Sequence, residues 1–202
     1  PPKNAQQGVA VETQILEQAE ILFREKGYTA VSITDIVNAV GITKPTLYYY
    51  FEDKETLFAL VLVKMLEQGE AFVKNHAQLN AQAGPADLEQ ALLSLASGYY
   101  ELSPTSLVAI IRNATQHLNE PSSQKVFTAY DTHIVKPIEA LFKTAQDQDL
   151  IGKTDTRLLA YFFVSLLDSL TSGVPMQTTD TTPYEAQARQ YISLFLNGLL
   201  KR

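Results

Sequence analysis

Three consecutive tyrosines, Tyr48–Tyr50, are the most chemically distinctive group in this chain. Thr46 precedes them, and Lys44 and Lys54 lie on either side. Phenol and hydroxyl groups donate hydrogen bonds to phosphate oxygens and base edges, and ammonium groups pair with phosphates. These residue types at this spacing indicate a surface that contacts DNA.

The residues before the tyrosines predict a helix of about two turns. Ser32 is a good N-cap, and Asp35 forms an imperfect capping box with it, since Glu or Gln is the usual partner. The apolar residues that follow recur at i, i+3, i+4 and i+7 and define one face: Ile33, Ile36, Val37 and Val40. Gly41 then stands where a left-handed residue ends a helix.

A second short helix follows the glycine. Thr43 is its N-cap, and Pro45 lies in its first turn, where a missing N–H costs nothing. Two short helices joined by a glycine-containing turn form a helix-turn-helix. At helical spacing, Leu47 and Phe51 share the side that faces the core, and the tyrosines lie on the outer side and its flank. The alternative is that the tyrosines pack against neighbouring helices.

Here the chain resembles a known family. The stretch GITKPTLYYYFEDKETLF (residues 41–58) closely resembles the recognition helix and following segment of TetR-type transcriptional repressors. The preceding ILEQAEILFREKGYTAVSITDIVNAVG resembles the rest of their N-terminal domain, and the match spans roughly residues 11–61. The chain is therefore identified as a TetR-family regulator, which implies a homodimer that binds a double-stranded DNA operator.

The resemblance also implies roles for single residues. Base edges would be approached by Thr43, Lys44, Pro45 and Thr46. Phosphates would be contacted by Tyr48, Tyr49, Tyr50 and Lys54, and Tyr49 also reaches bases. Ser32 completes the predicted DNA-binding set. Tyr50 departs from the family pattern, in which His is common, so its phosphate contact should be weaker.

Charge argues against a purely electrostatic interaction with DNA. Residues 1–56 hold five basic and eight acidic side chains, a net charge of −3 in a chain whose net charge is −6. Non-specific affinity should therefore be low, and binding should depend on a few positioned contacts that a dimer makes twice.

Composition limits the other classes of function. The chain has 202 residues and no cysteine, which excludes disulfides, zinc–thiolate sites and thiol catalysis. It shows no apolar stretch long enough to span a membrane and no signal peptide, so we expect a cytoplasmic protein. Motifs such as HExxH, GxSxG or a phosphate-binding glycine loop are absent from the sequence, and we expect no cofactor, no metal and no enzyme. A helical adaptor that binds proteins is the other alternative.

Helical periodicity predicts an all-α chain of about nine helices. Residues 1–52 should form the helix-turn-helix DNA-binding domain, with 1–8 as a flexible arm, and residues 53–202 a helical effector-binding and dimerisation domain. The helices outside the helix-turn-helix are expected at 9–26, 54–76, 86–102, 104–118, 120–149, 155–172 and 183–200. Pro137 predicts a kink or a break in its helix.

The last two helices are apolar over more than half of their circumference, which predicts a two-fold homodimer sealed by four helices. The predicted interface residues are Leu159, Phe163, Leu166, Leu170, Ile192, Phe195, Gly198 and Leu199. A charge at Phe195 should then yield monomers. The alternative is that both helices are internal to one chain.

The middle helices carry polar and aromatic residues on otherwise apolar faces, as ligand pockets do. The ligand-binding candidates are Met65, Tyr99, Tyr100, Arg112, Asn113, His117, Phe127, Tyr130, His133 and Phe162. Each has an ordinary alternative: the histidines could be surface or satisfied residues, and Arg112 could pair with Asp131 or Glu101. The family resemblance implies a small-molecule effector whose binding lowers operator affinity.

Overall fold

The computed structural model describes residues 3–102, 111–112, 116–171 and 184–199, and the side chains of 8–99, 111–112, 116–170 and 184–199. Within these ranges every regular element is helical, which confirms the all-α class. The predicted helix at 104–118 lies mostly outside them, as do Asn113 and the Tyr100 side chain. No helix in the described part of the chain is both long enough and apolar enough to cross a bilayer.

The helices follow the predicted order. They are α1 (Lys3–Lys26), α2 (Ile33–Val40), α3 (Lys44–Tyr50), α4 (Lys54–His76), α5 (Pro85–Leu102), α6 (Glu120–Tyr130), α7 (Lys136–Asp147), α8 (Thr156–Thr171) and α9 (Tyr184–Leu199). A π-helical turn, Asp131–Val135, joins α6 to α7.

The first helix differs from its prediction. It begins at Lys3, so residues 3–8 are helical and the prediction of a flexible arm over 1–8 is wrong for them. The added residues are mainly Ala, Gln and Asn, none of which stops a helix as Pro does, and a single glycine, Gly8, is tolerated at a modest cost. A Cβ atom at Gly8 would lie 3.6 Å from the Tyr50 hydroxyl, so this added turn passes beside α3.

The chain divides into two compact units. The head unit contains Pro1–Met65 and Ile111–Thr128, and the body unit contains Leu66–Ile110 and Ala129–Arg202. The head unit therefore includes the helix-turn-helix together with a segment from the middle of the chain. The large buried residues of the helices α1 to α4 in this unit are Ile15, Phe23, Ile36, Leu47, Leu57, Phe58 and Leu62, and Phe51 is buried at the C-cap of α3.

Pro137 shapes the helix that follows α6. Pro lacks an N–H, so it cannot donate the bond that continues an α-helix. The N–H of Lys136, the residue before it, instead reaches the carbonyl of Asp131, five residues back, and this bond closes the π-turn. The sequence predicted a kink or a break here; the chain stays helical and changes its hydrogen-bond spacing instead.

The core of the body unit is built from α5, which packs on α9, together with α7, α8 and α9. The rings of Phe142, Phe163 and Phe195 meet there, with the centroids of Phe142 and Phe163 5.9 Å apart and those of Phe163 and Phe195 5.7 Å apart. Asp155 starts α8, because its carboxylate accepts from the N–H groups of Arg157 and Leu158 at 3.0 Å. This core holds α8 and α9 side by side.

Candidate nucleic-acid interface

The capping box at the start of α2 is complete. The Ser32 hydroxyl oxygen accepts from the Asp35 N–H at 3.2 Å, and the Asp35 carboxylate accepts from the Ser32 N–H at 2.8 Å. The Ser32 hydroxyl also donates to that carboxylate at 2.6 Å. These bonds from Ser32 lower the pKa of Asp35. Asp35 thus performs the function of the usual Glu, and the Ser32 hydroxyl is already engaged within the protein.

The turn and the start of α3 also agree with the prediction. Gly41 has a φ of 76°, the left-handed conformation that ends α2. Thr43 caps α3 by accepting from the Thr46 N–H at 3.4 Å, and the two threonine hydroxyls lie 2.8 Å apart. Pro45 lies in the first turn, as expected. Local hydrogen bonds therefore orient the residues predicted to approach base edges.

The two sides of α3 differ sharply. Leu47 and Phe51 are buried and attach the helix to the head unit. On the outer side, Tyr49 is 82% exposed and Tyr48 is 50% exposed. Tyr50 is half-buried and meets Tyr49 edge to face at a centroid distance of 5.0 Å. Thr43, Lys44 and Pro45 are exposed beside them, so α3 presents a continuous hydroxyl and aromatic surface.

Lys54 differs from the other residues predicted to bind DNA. Its ammonium group donates to the carbonyl oxygens of Tyr28 at 2.7 Å and Val31 at 2.6 Å. It also lies 4.1 Å from the centre of the Tyr28 ring, within cation–π range. Burial lowers the pKa of Lys54, while the carbonyl acceptors favour its charged form. The structure thus gives Lys54 partners inside the head unit, and a phosphate contact would require it to leave them.

The ligand-binding candidates fall into both units. Met65, Arg112, His117 and Phe127 belong to the head unit, and Tyr99, Tyr130, His133 and Phe162 to the body unit. The ring of His117 stacks on Tyr28 at 5.2 Å, and His133 Nδ1 lies 2.6 Å from the Glu70 carboxylate. Two further candidates, Phe127 and Phe162, are 47% and 60% exposed, so neither ring lies in an enclosed cavity.

A polar cluster in the body unit includes two of the candidates. The Tyr99 hydroxyl donates to Asp168 at 3.2 Å. The pKa of Tyr130 is strongly raised, chiefly by burial and further by Tyr161 and Asp168. Sequence reasoning missed Asp168 and Tyr161 as members of this group. The available signal was the position of Asp168, a lone carboxylate among the apolar residues of α8.

A cluster of charged side chains surrounds the π-turn. The Asp131 carboxylate pairs with Arg157 and, at 3.5 Å, with Lys136. Tyr161 also donates to Asp131 at 3.4 Å. The pKa of Arg157 is raised, first by its hydrogen bond with Tyr161 and then by the charge of Asp131. These pairs are exposed, so they contribute little stability singly, but they orient one side of α8.

The last two helices show which apolar residues are internal. Phe163 and Ile192 are completely buried within one chain, and Leu159, Leu170 and Phe195 are nearly so. These five were predicted for the dimer interface, and the structure places them in the core instead, because α8 and α9 pack on α7 and on each other. Of the other predicted interface residues, Leu166 and Leu199 are half-buried and Gly198 is exposed.

The outer side of these helices carries a different apolar set. Leu194 is 73% exposed and Leu158 is 65% exposed, beside the exposed ring of Phe162. A groove of about 500 Å³ runs between α8 and α9 and is lined by Phe162, Ser165, Leu166, Ser169, Tyr191, Leu194 and Phe195. We call this the α8–α9 face. Sequence reasoning missed Leu158 and Leu194, because both helices are apolar on more than one side.

Comparison with known proteins agrees with this geometry. The family described as bacterial regulatory proteins, tetR family, matches residues 15–61. Over 191 residues the chain is 31% identical to the HTH-type transcriptional repressor KstR2 of Rhodococcus jostii (strain RHA1), covering 93% of this chain and 90% of that protein. It is 44% identical to the HTH-type transcriptional repressor ComR of Escherichia coli (strain K12) over 64 residues, 32% of this chain and 30% of that one.

A solved structure shows the same fold. The TetR family transcriptional regulator PfmR from Thermus thermophilus superposes with a TM-score of 0.67 at 24% identity, covering 93% of this chain and 99% of that chain. The chain belongs to the tetR family of bacterial regulatory proteins. It is a DNA-binding transcriptional regulator, and the proteins of this family are regulators rather than enzymes.

Proposed function

We propose that this chain is an effector-responsive repressor that binds a palindromic operator as a homodimer and is released by a small molecule. The observation that carries the proposal is the exposure of Tyr49, 82%, on a helix whose opposite side is buried. Tyr48, 50% exposed, lies next to it, and adjacent exposed aromatic side chains form the kind of patch that marks an interaction site. The proposal includes a cytoplasmic location, where a protein that acts on the bacterial operator would meet its DNA.

Base reading is assigned to the outer side of α3. Base edges are approached by Thr43, Lys44, Pro45 and Thr46, and the Lys44 ammonium group also lies near a flanking phosphate. Phosphates are contacted by Tyr48, Tyr49 and Tyr50, and Tyr49 also reaches bases. Ser32 and Lys54 flank this set, although both hold bonds inside the head unit. Because residues 1–56 carry a net charge of −3, which repels DNA, affinity and specificity must come from these few positioned contacts.

The homodimer is assigned to the α8–α9 face. Exposed Leu158, Phe162 and Leu194 form an apolar surface larger than scattered single residues would give. A two-fold axis through it would pair α8 and α9 of each chain as four helices. The dimer would place two copies of α3 in successive major grooves, about 34 Å apart.

The effector is assigned to the body unit. The Tyr99, Tyr130 and Asp168 cluster offers hydrogen-bonding groups among apolar helices, which is typical of a small-molecule site. An effector releases the operator only if it binds better to a dimer whose α3 helices are mis-spaced for DNA. If calorimetry detected a molecule that binds the protein and that molecule left the operator affinity unchanged, the coupling would be refuted for that molecule.

Selection of binding sites from random DNA tests the DNA-binding proposal. The wild-type protein should enrich a palindrome, whose two half-sites give the operator. On that duplex, Tyr49→Ala should weaken binding by about 5- to 150-fold, because it removes a contact to a base worth about 1–3 kcal/mol. Phe127→Ala is the matched control, since it removes an exposed aromatic of the same unit outside α3.

Two results would contradict the proposal. The first is selection of no sequence above background by the wild-type protein. The second is an equal loss of affinity in Tyr49→Ala and Phe127→Ala, which would show that α3 has no special part in binding. Circular dichroism of each variant confirms that the helices are intact.

A further inference from the structure

A segment from the middle of the chain forms part of the DNA-binding unit. Residues 111–128 belong to the head unit, although they lie about fifty residues beyond the family match at 15–61. His117 stacks its ring on Tyr28, with centroids 5.2 Å apart and planes inclined by 24°. Tyr28 lies in the turn between α1 and α2, so His117 contacts the connection that leads into the helix-turn-helix.

The same segment contacts the first turn of α4. The N–H of Asn119 donates to the Glu55 carboxylate at 2.6 Å. Lys54, the residue before Glu55, donates to the carbonyl oxygens of Tyr28 and Val31. Two adjacent residues of α4 therefore hold two different parts of the head: Lys54 the turn after α1, and Glu55 the residue before α6.

Asn119 is itself held firmly at the start of α6. Its side-chain oxygen accepts from the Ser122 N–H at 2.9 Å, and its carbonyl accepts from the Ser123 N–H at 2.9 Å. These are the bonds of a helix N-cap. Ser122 is buried in this turn. The amide that reaches Glu55 thus comes from a capped helix end rather than from an unanchored loop.

We propose that His117 and Glu55 are positioning residues for the recognition helix α3, and that residues 117–119 complete the DNA-binding unit. Only Phe51–Asp53 separate α3 from α4, so the orientation of the first turn of α4 is passed directly to α3. Asn119 holds that turn through Glu55. His117 stacks on Tyr28, in the same turn whose carbonyl oxygens accept hydrogen bonds from Lys54. The proposal rests on the proposed function, in which α3 reads DNA.

The charges around Tyr28 agree with this arrangement. Burial is the main cause that raises the pKa of Tyr28, and the charges of Glu55 and Asp53 raise it further. The carboxylates of Asp53 and Glu55, at the start of α4, therefore both act on the Tyr28 ring, on which His117 stacks. The sequence offered His117 as an effector-binding candidate, and its stacking on Tyr28 gives it a contact inside the head unit instead.

Paired variants of the full-length protein test the proposal. His117→Ala removes the stack and His117→Phe keeps a ring; Glu55→Ala removes the acceptor and Glu55→Gln keeps one. The probes are the duplex selected by the wild-type protein and a scrambled duplex of equal length. We expect both alanine variants to bind the selected duplex about three- to tenfold more weakly, with the scrambled duplex unaffected. The Phe and Gln variants should stay within about twofold of wild type.

Hydrogen–deuterium exchange without DNA supplies a second readout. The amides of α3 should exchange faster in His117→Ala and Glu55→Ala than in His117→Phe and Glu55→Gln, while those of α9 remain unchanged. Equal losses on both duplexes, or unchanged exchange in α3, would overturn the positioning roles. If the wild-type protein selected no duplex, the proposed function would fail, and the exchange experiment would still decide whether the segment positions α3.

Discussion

A Cβ atom on Gly98 of α5 would lie 1.7 Å from Cζ of Phe72 on α4. Only a residue without a side chain therefore allows the ring to lie in this position. His76 stacks on the same ring with centroids 4.0 Å apart, and its Nδ1–H donates to the Phe72 carbonyl oxygen at 2.8 Å. The ring of Phe72 therefore packs directly on the backbone of α5 at Gly98.

In Gly98→Ala the methyl group would displace the ring from its site, which costs about 1–3 kcal/mol. The gain of about 1 kcal/mol that Ala brings to a helix offsets part of this cost, so the free energy of unfolding should fall by up to about 2 kcal/mol. Urea unfolding measures it. In a Phe72→Ala background the same substitution should be neutral or stabilising, and a persistent loss there would contradict the steric explanation.

Lys54→Met should destabilise the head unit by about 1–3 kcal/mol, because two partly buried carbonyl groups lose a charged donor. Lys44→Met is the control, since Lys44 is exposed on α3. It should leave thermal stability unchanged but reduce the salt dependence of operator binding by about one phosphate contact. Identical melting temperatures for Lys54→Met and wild type would show that the bonds to Tyr28 and Val31 are unimportant.

Ser32→Ala should cost about 1 kcal/mol of stability through loss of the α2 cap. The measurement is the urea midpoint at neutral pH, compared with Thr34→Ala, an exposed substitution two residues further along the same helix. Equal midpoints for Ser32→Ala and Thr34→Ala would indicate that the capping box does not stabilise the domain.

The pH dependence of that cap has a defined sign. The hydrogen bonds from Ser32 lower the pKa of Asp35 in the folded state. The contribution of Asp35 is therefore complete above its unfolded pKa and is lost as the pH falls through its folded pKa. The stability difference between wild type and Asp35→Asn should be largest near neutral pH and should shrink in acid. A difference that grew on acidification would reverse this assignment.

Leu194→Asp should yield monomers in light scattering with normal helicity, because Leu194 is an exposed member of the α8–α9 face. Phe195→Asp, which the sequence offered as the dimer test, should instead unfold the body unit, because it buries an unpaired charge. A Leu194→Asp protein with the dimer mass would exclude this face. A wild-type protein that is itself monomeric would exclude the homodimer.

The ends of the helices near the DNA-binding surface were predictable from the sequence. Ser32, Gly41 and Thr43 each act within three or four residues of themselves, through a cap or a left-handed turn. Such signals need no knowledge of the rest of the chain. For the same reason the outer side of α3 could be assigned from helical spacing and the burial of Leu47 and Phe51.

The start of α1 was harder to predict, because residues 3–8 carry no apolar periodicity and contain Asn4 and Gly8, which disfavour a helix. Pro137 signalled a disturbance, but not that a π-turn would absorb it. In α8, two adjacent phenylalanine rings differ in burial: Phe163 is fully buried and Phe162 is exposed. A helix that is apolar on most sides gives no preference between them, so the packing of α7 and α9 makes the choice.

The sequence alone established the family, the all-helical class and the surface of α3, because these depend on periodicity and on contacts within one helical turn. The partners of Lys54, His117 and Glu55 depended on the fold. Lys54 meets a carbonyl 26 residues away, and Glu55 meets an amide 64 residues away. Contacts at such separations arise only when helices distant in sequence pack together, and no local pattern encodes which of them will meet.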